Sequence, residues 1–229
     1  DVTPLIDSHS LVRLLGGSSS ALGSPGKNDG DVVLRDSRTG ALTTQWELLW
    51  SRLDPWVSVA ALVHPILVLD NVPWAFCNPA KCTSAGSNTP GAKYGMDFGP
   101  ANCTEYGAWI ESLLTAVSNR YGEQRASQFW FRVGTEPNTR PGHWNDTNKK
   151  YVDEYVAVSA AVNKVLPKAK VGLANMGADG SASGWYGDVI PIVRDIAKAN
   201  ARGDFSAMSC YGRGTGNRCE QSQPASSAV

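Results

Sequence analysis

Glu136 has the sequence setting of a working carboxyl group. It follows the apolar run Phe129-Trp130-Phe131-Arg132-Val133 across Gly134 and Thr135, and Pro137 comes directly after it. A carboxyl fixed at the mouth of a buried strand, in apolar surroundings and near another negative charge, keeps its proton to higher pH than usual. It can then act first as an acid and later as a base. Glu136 is therefore the candidate catalytic residue. Its plainer alternative is a loop carboxylate that caps the next helix or pairs with an arginine. Asp70 closes a second apolar run, Ile66-Leu67-Val68-Leu69, and suits a substrate contact or a structural hydrogen bond better than a nucleophile.

Other polar and aromatic residues follow the ends of apolar runs in the same way. Asn71, Thr135, Asn138 and Asn175 offer hydrogen bonds, and Trp74, His143, Trp144 and Tyr211 are suited to line a ligand cleft. Aromatic faces stack on apolar C–H faces, and their polar tips reach hydroxyl groups. Arg13 is placed to hold a carboxylate at the same mouth, or equally to form an internal salt bridge. For His143 the rival is a solvated loop residue, and for Asn175 a turn or cap. Trp46, Trp50, Trp56 and Trp109 recur at helical spacing and are expected in the core. No Gly-x-Ser-x-Gly elbow, phosphate-binding loop or His-rich cluster occurs. Serine-hydrolase, nucleotide and metal-hydrolase chemistry therefore lack their signatures, and nothing points to a cofactor.

The elements that must position these residues alternate. Strands are expected at Leu11–Leu15, Pro65–Asp70, Phe129–Val133, Val171–Asn175 and Phe205–Tyr211, with helices through Trp46–Val57, Tyr106–Val117 (ending near Tyr121-Gly122), Tyr151–Val165 and Val189–Ile196. Residues 18–44 read as loop with a short extended piece at Val32-Val33-Leu34, and residues 71–100 as a long loop. Five strands separated by four helices imply a parallel sheet with right-handed crossovers. No strand runs into Gly-x-Gly-x-x-Gly, and the polar candidates gather after strand ends. That pattern favours part of a barrel over a dinucleotide-binding open sheet.

The segment Phe129 to Asn138 resembles the fourth strand of clan-A glycoside hydrolases, which ends in Asn-Glu-Pro, and family 39 in particular. Val12-Arg13-Leu14-Leu15-Gly16 is similar to the second strand, Leu67 to Trp74 to the third strand and its loop, and Ser209-Cys210-Tyr211-Gly212 to the sixth. The resemblance implies an incomplete (β/α)₈ TIM barrel of about strands 2–6, one catalytic domain over residues 1–229 truncated at both ends. It also implies retaining hydrolysis of O-glycosidic bonds in a polysaccharide or oligosaccharide, with Glu136 as general acid/base. The family's nucleophile, a Glu on the seventh strand, is expected beyond Val229. Two positions depart from the pattern: Thr135 replaces the family's Asn, and Leu15 stands where a His is usual. Thr135 raises the alternative of a carbohydrate-binding barrel that has lost catalysis. A sugar-acting lyase would need a Tyr, His or Lys base that nothing here singles out.

Composition narrows the partners. Lys and Arg total 21, as do Asp and Glu, so no net charge favours nucleic acid, and no apolar run is long enough to span a membrane. A carbohydrate substrate is the expected partner, and the oligomeric state is open. Five cysteines, Cys77, Cys82, Cys103, Cys210 and Cys219, lie in or beside loops, and two glycosylation sequons begin at Asn102 and Asn145. The cysteines read as disulfides of a secreted glycoprotein, with zinc the weaker rival, and their odd number leaves one thiol over.

Overall fold

The computed structural model describes residues 11–13, 31–59, 65–69, 71–78, 96–139, 143–177 and 182–209. Asp70, Tyr211, His9, His64, Cys82, Cys210 and Cys219 lie outside them, and of Arg13 only the backbone is described.

A five-stranded parallel sheet forms the frame, in the order β1 (Leu11–Arg13), β4 (Ile66–Leu69), β5 (Trp130–Thr135), β6 (Lys170–Gly177) and β7 (Phe205–Ser209). Chain order and spatial order agree, as they do when each strand returns beside the last through a crossover helix. The crossovers are α1 (Trp46–Val59), α2 (Cys103–Tyr121) with the short α3 (Glu123–Ala126), α4 (Asn148–Val165) and α5 (Ala182–Lys198). Asn102 caps α2 by accepting from the amides of Thr104 and Glu105, and Thr147 caps α4 by accepting from that of Lys150. The helices extend several residues beyond their apolar stripes because their first turns are set by these polar caps.

Alternation along the strands separates two faces. Phe129, Phe131, Val133, Leu67, Leu69 and Val171 are fully buried and join the core with Tyr106, Leu113, Tyr155 and Val158 of the helices. On the other face, Trp130 and Phe205 lie 5.2 Å apart between ring centroids, and the Lys170 amine stands 4.7 Å above the Trp130 ring. Of the four helical tryptophans expected in the core, only Trp109 is buried. Trp46, Trp50 and Trp56 are partly buried: Trp46 stacks on Trp50, and the Arg120 guanidinium, held by Asp54, sits 4.7 Å from the Trp50 ring. An amphipathic helix gives its ring faces to a cation as readily as to the core.

The extended piece expected at Val32-Val33-Leu34 is β2 (Val33–Arg35), and the segment expected as loop after it adds β3 (Leu42–Thr44), paired antiparallel with β2 in a hairpin. Its strands are too short for a recognisable period. Its signal is the turn, where the Asp36 carboxylate accepts from the amides of Arg38 and Thr39 and Gly40 takes a φ of 74°. The hairpin braces the connection after β4. Arg35 reaches the carbonyl of Ala75 at 2.6 Å and the carboxylate of Glu105 at 2.6 Å. Asp31 accepts from the Trp74 amide at 2.7 Å. Burial pushes the Asp31 carboxyl up to about 6, against the lowering pull of that amide and of Arg52. Trp74, at the start of a 3-10 turn (Trp74–Phe76), is thus fixed from the hairpin side.

Candidate active site

The C-terminal ends of β4, β5 and β6 bring the polar candidates together. Thr135 is the last residue of β5 and pairs in register with Asn175 of β6, while Asn71 lies two residues beyond the end of β4. Glu136 follows Thr135 with a backbone φ of 43°, and Gly134 before them has a φ of 80°. Two left-handed residues within three positions turn the chain out of the sheet. For Glu136, which has a Cβ, that conformation is strained, and residues held this way concentrate at functional sites.

The β5–β6 ladder pairs Val133 with Leu173 and Thr135 with Asn175 but passes over Gly134. Tyr151 of α4 fills the break. Its hydroxyl donates to the Val133 carbonyl at 2.9 Å and accepts from the Ala174 amide at 3.0 Å. A Cβ on residue 134 would come within 3.1 Å of the Tyr151 ring, so the glycine admits the tyrosine and the tyrosine bridges the strands. Burial pushes the Tyr151 phenol well up, which keeps its hydroxyl a donor at any ordinary pH. Replacing Tyr151 with Phe leaves two buried backbone groups without this partner. The expected loss is about 1–3 kcal/mol of stability, read from denaturant midpoints, together with a lower kcat as Glu136 loses its seat. Stability equal to wild type would show that the ladder closes without the hydroxyl.

Glu136 is 4% exposed. Its amide donates to the Asn175 carbonyl at 2.9 Å. Three groups then address its carboxylate. The Asn175 side-chain amide is 3.5 Å from Oε1, the Thr139 hydroxyl 3.3 Å from Oε2, and His143 Nε2 3.4 Å from Oε2. The loop is wound to allow this: Thr139 N–H donates to the Glu136 carbonyl at 2.8 Å, and His143 N–H to the Thr139 carbonyl at 3.0 Å. This arrangement holds one carboxyl group in a fixed direction and gives it polar neighbours for both its charged and its neutral form, as proton transfer to and from a bound substrate requires.

The remaining candidates divide. Asn71 is 5% exposed, and its Nδ2 has no hydrogen-bond partner among the described residues, a buried donor of the kind a ligand oxygen satisfies. Trp74 and Asn138 are partly buried at the same end of the sheet. His143 is 8% exposed and is therefore no solvated loop residue. Trp144, expected to offer a stacking face, is instead part of the core cluster. It stands edge-on to Tyr151 at 5.8 Å, with its indole N–H on the Thr147 carbonyl, because the chain must turn inward there to begin α4. Arg13 pairs by its backbone with Val68, in the row that continues to Arg132 and Gly172. Sequence reasoning missed Tyr151 and Thr139 as site residues. Gly134 next to the candidate acid, and a threonine three positions after it, were the available signals.

Comparison with known proteins places the chain. The profile of the family described as "Glycosyl hydrolases family 39" matches residues 45–222. An α-1,4-L-rhamnosidase of Formosa agariphila is 28% identical over 204 residues, covering 88% of this chain and 40% of the relative. A β-xylosidase of Caldicellulosiruptor saccharolyticus is 29% identical over 101 residues, covering 44% of this chain and 19% of the relative. The chain thus spans well under half the length of either. Among solved structures, a monomeric β-xylosidase from Caulobacter crescentus CB15 aligns with a TM-score of 0.67 at 17% identity, covering 92% of this chain and 38% of that one. A family 39 enzyme from Xanthomonas axonopodis pv. citri aligns with a TM-score of 0.62 at 22% identity, covering 79% and 32%. At such identities the likeness speaks for the fold, which is TIM-barrel-like α/β.

Proposed function

This chain belongs to glycosyl hydrolases family 39, and from that premise we propose that it hydrolyses O-glycosidic bonds of an oligosaccharide or polysaccharide by a retaining mechanism with Glu136 as general acid/base. The seating of Glu136 carries the reading: it is buried, left-handed at the mouth of β5, and addressed by Asn175, Thr139 and His143. In the first step Glu136 gives its proton to the leaving oxygen while a second carboxylate bonds to the anomeric carbon. In the second step Glu136 takes a proton from water, whose oxygen displaces that carboxylate. The family resemblance assigns the second carboxylate to the seventh barrel strand, and β1 and β4–β7 to strands two to six.

Sugar contacts in this reading come from Asn71, Thr135, Asn138 and Asn175 at the strand ends, Trp74 from the loop after β4, and Arg13, Asp70 and Tyr211, with His143 held against Glu136. Trp144 backs the site through Tyr151. The two relatives are named for rhamnosyl and xylosyl bonds. Neither sugar carries a hydroxymethyl group on carbon 5, so a glycoside of that type is the proposed substrate. The same proposal includes an extracellular location and glycans on Asn102 and Asn145, both of which are exposed. Cys103 is a free thiol, which leaves Cys77–Cys82 and Cys210–Cys219 as the proposed disulfides. One observation favours a second reading, a carbohydrate-binding barrel without turnover: Thr135 is buried where the family has the longer Asn.

The test is to incubate the full-length protein with aryl α-L-rhamnoside and aryl β-D-xyloside and to follow the released sugar by NMR. Release of the retained anomer is expected. Inversion would overturn the mechanism, and tight binding without release would favour the second reading.

A further inference from the structure

We propose that His143 is a positioning residue that shares the acid/base proton of Glu136, so that the two titrate as one pair whose last proton rests mainly on the imidazole. The inference rests on the reading of Glu136 as the acid/base and adds the control of its protonation. Its basis is geometric. Nε2 of His143 stands 3.4 Å from Oε2 of Glu136, and both side chains are under 10% exposed. The loop that carries His143 is closed onto Glu136 by two consecutive backbone hydrogen bonds, through Thr139. It is held from the other side by the Asn145 amide on the Asp97 carbonyl at 2.7 Å and by Trp144 against Gly99 and Tyr151. The ring is therefore built into place rather than resting on a surface.

Two ionisable groups this close, shielded from water, lose their protons in two steps that belong to the pair. A free imidazole holds its proton about two pH units higher than a free carboxyl. The amide of Asn175 and the hydroxyl of Thr139 also favour the carboxylate form of Glu136. The singly protonated pair is thus mainly imidazolium and carboxylate, in exchange with the reactive form in which Oε2 carries the proton. In the transfer between them the Nε2–H bond breaks as the Oε2–H bond forms. When Glu136 has given its proton to a leaving oxygen, the proton it later takes from water returns the pair to the same state. Among the described residues, the buried ionisable side chains of β5, of α4 and of the segment before α2 are Arg132, Tyr151, Glu154 and Tyr155, and Asp97. Tyr151 is committed to its two backbone partners, and burial raises the Glu154 carboxyl well above the usual carboxylate range.

A shared last proton is lost at a higher pH than it would be from Glu136 alone beside a neutral neighbour. His143→Gln supplies that neutral neighbour. In the full-length protein, the basic limb of kcat/KM against pH is expected to move down by about one to two pH units in His143→Gln. An unmoved limb in a folded, active variant would overturn the sharing while leaving Glu136 as the acid. A second readout needs no turnover. The ring titration of His143, followed by NMR, is expected to shift to lower pH in Glu136→Gln, because the anionic neighbour is gone. An unchanged ring titration would overturn the pairing. Full activity of Glu136→Gln would instead remove the acid/base reading, and the ring titration would still decide whether the pair exists.

Discussion

Glu136→Gln in the full-length protein should lower kcat on glycosides with poor leaving groups by about 10²–10⁴, the usual worth of a positioned general acid/base. The substitution keeps the shape of the side chain. A glutamine carbonyl still accepts from Asn175, and the left-handed turn at residue 136 belongs to the backbone that Gly134 and Tyr151 set. The folded structure should therefore persist, and the melting temperature should move by only a few degrees. What disappears is the proton. A leaving group that departs readily as an anion needs little protonation, so activated aryl glycosides should lose less in the glycosylation step than alkyl glycosides. A small anionic nucleophile such as azide, which needs no base, should restore turnover of the covalent intermediate and give a glycosyl azide of retained configuration. Loss of the same size for every leaving group would mean that Glu136 orients substrate rather than protonating it. Unchanged turnover would move the chemistry elsewhere.

The acid was legible in the sequence because several local signals agree there. A strand apolar but for Arg132 ends, a glycine follows, and a carboxyl precedes a proline. The parallel strands were legible for the same reason: buried on both faces, as Leu67, Val68 and Leu69 are, they read as continuous apolar runs. What surrounds the acid was not legible, because it depends on where a loop returns. His143 reaches Glu136 only because Thr139 closes two successive turns, and no spacing rule places a residue seven positions on beside its predecessor. Trp144 shows the converse. A tryptophan in a Gly/Asn/Asp-rich stretch reads as exposed, yet it is spent on packing against Tyr151 at the start of α4. The extended piece at Val32–Leu34 was legible, but its pairing with β3 was hidden because three-residue strands carry no period, although the hairpin side anchors the Trp74–Phe76 turn through Asp31 and Arg35. Tyr151 read correctly as a core residue of a helix, but its hydroxyl, which completes the β5–β6 ladder, could not be seen without the register of the two strands.

Stability should fall with rising pH because of a carboxyl group outside the site. Glu154 of α4 is 1% exposed, and its Oε2 has no hydrogen-bond partner among the described residues. The close approach of α2 and α4, with Gly107 of one helix on Ala157 of the other, seals it off one turn away, beside Cys103. Burial raises its pKa well above the usual value of 4.5. The folded state therefore keeps a proton that the unfolded chain releases above about pH 4.5. A raised carboxyl contributes its full stability below the unfolded value and loses it as pH climbs toward the folded one. The slope in that window is about −1.4 kcal/mol per pH unit for one proton. Asp31, pushed up to about 6, adds a loss of the same sign, confined to the range below that value. Above pH 6 the difference in slope between wild type and Glu154→Gln belongs to Glu154. Glu154→Gln cannot ionise and keeps the shape, so urea midpoints across pH 4 to 8 should match wild type at the acid end and exceed it increasingly toward neutrality. Parallel curves for the two proteins above pH 6 would show that Glu154 ionises in the fold and that the α2–α4 contact admits water.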